Sequence, residues 1–177
     1  NRAEAFTDCS GLINALLERA GVPQLEHLRA ASRRGIPKAR DYRRQIAAGN
    51  GFLLIGRVSE VRPGDILAIE YPPGGEDTGH VMLIDGPPVR REVPTPPLID
   101  NTQQWDIPII DSTKSPHGPD DTRIAAGGEK RSGTGRGTLR LYTDQDGHPV
   151  GYRWSPRKTS RFHDHTVRPL AIGRLLP

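Results

Sequence analysis

Apolar positions change their spacing near residue 50 of the chain. Before it the spacing is helical. Leu12, Ile13, Leu16, Leu17 and Ala20 fall on one face of a predicted helix. Thr7 or Asp8 supplies its start signal, and Gly21 followed by Pro23 its stop. Residues 24–48, rich in Arg, Ala, Leu and Gln, predict one or two further helices, interrupted at Gly35-Ile36-Pro37. From Gly51 onward short apolar runs take over. Residues 52–58, 66–71, 80–85, 107–111, 138–142, 150–154 and 169–176 predict strands, separated by Gly- and Pro-rich turns. Asp146-Gly147 reads as a hairpin turn. A proline-rich excursion runs from Pro94 to Pro97. Residues 127–137 read as a mobile surface loop, because their glycines lack the glycine–lysine–hydroxyl order of a phosphate-binding loop. Helices first and strands afterwards predict an α+β fold, with N-terminal helices packed on an antiparallel β-sheet.

Composition narrows this picture. The 177 residues suit one domain spanning 1–177. Hydrophobic content is modest at 34%, while Gly (20) and Pro (17) are plentiful, which favours short strands and many loops over a helix bundle. No apolar run approaches the roughly 20 residues of a membrane-spanning helix. The formal charge of +4 would tolerate an anionic partner. The arginines are scattered, however, and Arg29, Arg33, Arg34, Arg40, Arg43 and Arg44 read as a solvated helical face. No nucleic-acid recognition motif is present, so nucleic acid is not an expected partner. The abrupt opening at Asn1 suggests a domain cut from a longer precursor.

Candidate chemistry centres on Cys9, the single cysteine, which can form no internal disulfide. It falls in the first turn of the predicted N-terminal helix. There it faces unpaired backbone N–H groups and the positive end of the helix dipole, the setting of a reactive thiol. A free cysteine is otherwise a small buried hydrophobe. His80 stands at the mouth of an apolar strand, and imidazole titrates in the range needed to take a thiol proton. The imidazole needs an acceptor to orient it. Asp111, at the end of the 107–111 run, is the leading candidate, His117 the alternative, and Asn101 and Asp85 weaker ones. His163-Asp164-His165 reads as a polar loop, with too few ligands for a zinc site. No metal or cofactor is expected.

Three motifs in this order resemble one family. Asp8-Cys9-Ser10-Gly11-Leu12 on a helix, Arg62-Pro63-Gly64-Asp65-Ile66-Leu67 opening a strand, and Gly79-His80-Val81-Met82-Leu83-Ile84 on the next are similar to the NlpC/P-sixty family of papain-like cell-wall cysteine peptidases, relatives of the CHAP amidases. The resemblance covers about the first two thirds of the chain. It implies a papain-like fold built on a central sheet or open barrel. It also implies a cysteine peptidase or amidase acting on peptidoglycan stem peptides through a thioester. Cys9 is then the nucleophile, His80 the base, Asp111 stands where the family usually has histidine, and the Cys9 backbone N–H serves the oxyanion. A periplasmic, cell-envelope or secreted location follows from the same resemblance. The links before His80 and before Ile107 are long, and the Arg-rich segment 153–168 has no counterpart, which leaves the substrate open. Two other readings share the scaffold: an amidase or acyltransferase on a non-wall substrate, and a non-catalytic binding module.

Overall fold

A computed structural model describes residues 8–75 and 77–177. Thr7, one of the two expected helix starts, lies outside them. The cap is Asp8, whose carboxylate accepts from the Gly11 N–H at 2.6 Å, and helix α1 runs Cys9–Ala20. Gly21 closes it at φ 65°, a left-handed geometry that costs glycine little. The buried face is narrower than the spacing predicts. Ser10, Ile13 and Leu17 are buried, whereas Leu16 is 41% exposed and Ala20 is exposed. One stripe at three- and four-residue spacing makes the contact with the sheet.

Helices α2 (Gln24–Ala31) and α3 (Ala39–Ala47) follow, joined by a single 3-10 turn over Arg33–Gly35, so the break falls where Gly35-Ile36-Pro37 predicts it. Ala39, Tyr42 and Ile46 form the buried face of α3, and the Tyr42 hydroxyl donates to Asn14 Oδ1 at 2.6 Å, tying α3 to α1. The arginines of this region stay at the surface or half-buried. Arg29 pairs with Glu18 and Glu26, and Arg44 pairs with Glu70 on the sheet.

The described strands are β1 (Phe52–Leu54), β2 (Ile66–Glu70), β3 (Gly79–Ile84), β4 (Val89–Arg90), β5 (Gln103–Thr113), β6 (Gly133–Thr143), β7 (Pro149–Arg153), β8 (Phe162–Asp164) and β9 (Leu170–Leu175). They form one nine-stranded antiparallel sheet in the order β1-β9-β2-β3-β5-β6-β7-β8, with β4 beside β5. The α+β class and the antiparallel sheet are as the sequence predicts. Three local expectations are corrected. The run from Phe52 ends as a strand at Leu54, because Val58 begins a tight 3-10 turn. His163 and Asp164 belong to β8 rather than to a loop. Most of the difference lies in residues 127–137: from Gly133 they are β6, paired along its whole length with β5. Alternation of Gly133, Gly135 and Gly137 with Thr134 and Arg136 is a strand period in which one face has no side chains.

The sheet curls. The turn between β6 and β7 reaches back to the segment after β1, where the Val58 N–H donates to the Gly147 carbonyl at 2.9 Å and His148 Nδ1 meets the Gly56 carbonyl at 3.0 Å. Inside the curl lies a core of Leu67, Ile69, Met82, Ile84, Ile107 and Ile109, with Leu139, Leu141 and Tyr152 from the far strands. The opposite face of β2 and β3, through Ile66, Ala68 and Val81, packs on Ile13, Leu17, Tyr42 and Ile46 of the helices. Both faces of β2 are thus buried, which is why its sequence Ile66-Leu67-Ala68-Ile69 is apolar without alternation.

Register then fixes the site. Ile69 pairs with His80, Ile84 with Ile109, Ile109 with Gly137 and Asp111 with Gly135. His80, Asp111, Gly135 and Gly137 therefore all face into the curl at one end of it. Among the described residues no helix is long and apolar enough to cross a membrane.

Candidate active site

His80 enters the site because Gly79 lets β3 begin there. Gly79 has φ 145°, and a Cβ on it would lie 1.9 Å from the Ile69 carbonyl oxygen. Only glycine permits this approach of β3 to β2. The next residue places its imidazole, 7% exposed, at the end of the inner core. Cys9, the first residue of α1, reaches the same end from the helical layer and is half-buried.

One ring nitrogen of His80, Nε2, lies 2.5 Å from Asp111 Oδ2. Cys9 also acts on the imidazole, by hydrogen bonding and by charge. Burial alone would push the His80 imidazolium towards deprotonation. The hydrogen bonds to Asp111 and Cys9, together with their charges, outweigh it and raise its pKa to about 9. Asp111 is fully buried, which would raise its carboxyl. Hydrogen bonds from His117 and His80 outweigh that burial and hold the group well below the usual carboxylate range.

His117, the alternative third member, contacts Asp111 rather than Cys9. Its Nε2 is 2.9 Å from Asp111 Oδ2, and its Nδ1 is 2.6 Å from the Trp154 carbonyl. The arrangement runs Cys9–His80–Asp111, with His117 and Arg123 behind the carboxylate. Asp85 instead pairs with Arg136, and Asn101 sits in a left-handed turn before β5; neither lines the cleft.

Sequence reasoning missed the groups that hold Asp111. Arg123 donates from Nη1 to Asp111 Oδ1 at 2.7 Å and clasps Asp121 through Nε and Nη2 at 2.8 and 2.7 Å. Asp121 in turn accepts from the His117 backbone N–H at 2.7 Å. All three side chains are at most 3% exposed. They come from the β5–β6 connection and fold over the bare face of β6. A Cβ at Gly135 would come within 2.7 Å of the Arg123 side chain, and one at Gly137 within 2.6 Å of Asp121 Oδ2. The alternating glycines were the available signal, since a strand with one face empty implies something lying on it. Trp154 completes the wall. Its ring stacks on His117 at 4.0 Å between centroids and meets His80 edge-on at 4.7 Å.

His80, Asp111 and His117 present ligand atoms within 4.8 Å of one another, a spacing at which a metal is conceivable. Direct hydrogen bonds already link those atoms, and the Arg123 guanidinium holds the other oxygen of Asp111. A cation would have to break both imidazole bonds beside a fixed positive charge. The residues fit a hydrogen-bonded relay better than a ligand set.

The relay opens on a cleft of about 1150 Å³ whose walls include Cys9, His80, Tyr71, Trp154, His163 and Arg168. The segment that had no counterpart in the motif resemblance, 153–168, thus supplies part of the wall.

No family model and no solved structure matches the chain. Uncharacterized protein R653 of Acanthamoeba polyphaga mimivirus is 37% identical over 178 aligned residues, covering 97% of this chain and 78% of the relative. On that likeness, the chain belongs to the same family as the mimivirus protein.

Proposed function

We propose that this protein is a cysteine peptidase or amidase that cleaves an amide through a thioester on Cys9. The observation that carries the reading is the bridging position of His80, bonded to Cys9 on one side and to Asp111 on the other, at the wall of an open cleft. In the reaction Cys9 sulfur attacks the carbonyl carbon, and its proton resides on His80. The imidazolium then donates that proton to the departing amine, leaving the acyl group on sulfur. Water, deprotonated by the now neutral His80, attacks the thioester and releases the acid and the thiol. Asp111 orients the ring and balances its charge, and Arg123 and His117 fix Asp111 in turn. The Cys9 backbone N–H, at the first helical position, has no acceptor within the helix and would serve the oxyanion.

The motif order supports a papain-like arrangement and, as substrate class, a stem peptide of peptidoglycan, which would be met in the cell envelope or outside the cell. Cleavage of purified muropeptides against simple peptide amides tests this. Wild-type protein should release a new amine from one of them, and Cys9→Ala should release none while melting at the same temperature. Turnover by Cys9→Ala would remove Cys9 as the nucleophile. No turnover by wild type, with a Cys9 that iodoacetamide alkylates no faster than a peptide thiol, would leave the scaffold as a binding module.

A further inference from the structure

The cleft carries a cation with no counter-ion. Arg168, in the turn between β8 and β9, lines the cleft and lays its guanidinium 4.4 Å above the ring of Tyr71, which lines it too. Among the described residues no carboxylate forms an ion pair with Arg168, whereas Arg29, Arg44, Arg91, Arg123, Arg140 and Arg174 each have one. The stacking fixes the plane of the guanidinium, which also reaches the Tyr152 hydroxyl; of its five N–H donors the others are left for a ligand. Tyr71, the residue after β2, lines the same cleft as Cys9, so this cation shares the cleft with the thiol. His163 forms the adjoining wall.

We infer that Arg168, seated on Tyr71, is the specificity-determining residue of the cleft and binds a carboxylate of the amide substrate. The inference rests on the hydrolase reading for its word substrate, but the anion site stands on geometry alone. A carboxylate fits better than a phosphate. One planar guanidinium offers two parallel N–H donors, the match for a carboxylate, while the exposed Asp77 on the same cleft disfavours a more highly charged anion. His163 is a built-in reporter. Burial and then the charges of Arg168 and Arg161 lower its pKa to about 4, and a bound anion neutralising Arg168 should raise it.

The test uses Cys9→Ala protein, so that binding is read without turnover. N-acetylglycine is titrated against its uncharged N-methylamide and against inorganic phosphate, following the His163 ring signals by NMR. N-acetylglycine should move them and raise the His163 pKa, and the N-methylamide should not. Arg168→Gln should weaken N-acetylglycine binding about tenfold or more, with Arg168→Lys in between. Equal binding by Arg168→Gln, no binding at high millimolar concentration, or a response to phosphate alone would overturn the inference. A carboxylate bound through Arg168 by a protein that hydrolyses no amide would overturn the hydrolase reading and leave the anion site intact.

Discussion

Strands β5 and β6 carry a buried charge network on each face, and the two differ in what they can do. On the inner face, Asp111 meets the imidazoles of His80 and His117, and Arg123 joins Asp111 to Asp121. On the outer face, one residue out of phase, Arg140 and Arg91 share Asp106, and Arg153 lies opposite Arg140 in register. The outer guanidinium groups pin the proline-rich excursion, through Thr95 Oγ1 at 2.8 Å from Arg140 and the Pro96 carbonyl at 2.5 Å from Arg153. Arg140 and Arg153 are fully buried, and each leaves an Nη2 without a partner among the described residues. Burial lowers the Arg140 pKa and Asp106 only partly restores it. The inner network, by contrast, converges on Asp111, which bonds two imidazoles, one of them beside the Cys9 thiol at a cleft. Burial and ion pairing are common to both faces, so neither marks an active site. Access to a thiol at an open cleft and an imidazole that can change its charge are what separate them.

The largest expected effect breaks the comparison outright. His80→Ala should lower amide turnover by about 10⁴ or more with little change in melting temperature. Arg140→Ala should do the reverse, costing about 3 kcal/mol of stability while folded protein keeps its rate. Turnover per folded molecule and denaturant midpoints read both. Asp111→Asn should cut turnover about a thousandfold and also destabilise, because Arg123 is left facing a neutral amide. Gly135→Ala is gentler. Its methyl displaces the Arg123 side chain by a few tenths of an ångström or more, and a loss of about 10–100-fold is expected from the tilted relay. An unaltered rate in Gly135→Ala would mean that Arg123 is only structural.

The smallest effect comes from pH. His80 is raised above its unfolded value of about 6.5, so its stabilising charge is present in full below that pH and is lost as pH rises through about 9. Amide turnover should fall over the same range, since the leaving amine loses its proton donor, while alkylation of Cys9 by iodoacetamide persists. The outer network has only guanidinium cations and a carboxylate, and should not respond in this window. Parallel loss of hydrolysis and alkylation would count against His80 as the acid.

What was legible in the sequence follows the same division. The three motifs carry their chemistry on short, local signals: a capped helix start, a Pro-Gly turn and a glycine before a strand. Cys9 and His80 could therefore be read, Asp111 followed from its place at the end of the 107–111 apolar run, and the three converge. Arg123 and Asp121 could not, because Asp121-Thr122-Arg123 looks like any polar loop until β6 is recognised beneath it. Residues 133–137 look like a loop in the sequence because glycine is a weak strand former. Their alternation was the true signal, and it reports on a partner lying across the strand rather than on the strand itself. Trp154, His163 and Arg168 were opaque for another reason. They reach the cleft only because the sheet curls, and no local pattern records that.

The curl has a temporal consequence. Cys9 comes from the first helix, Asp111 from the middle of the chain and Trp154 from near its end, brought together by pairings between distant segments. Such contacts form late, after the local helices have condensed. A chain still being synthesised, or one that has partly opened, carries only an ordinary sulfhydryl. If Cys9 reacts as the hydrolase reading requires, that reactivity is the last property the molecule acquires and the first it surrenders, and thiol alkylation kinetics would gauge how many copies have finished folding.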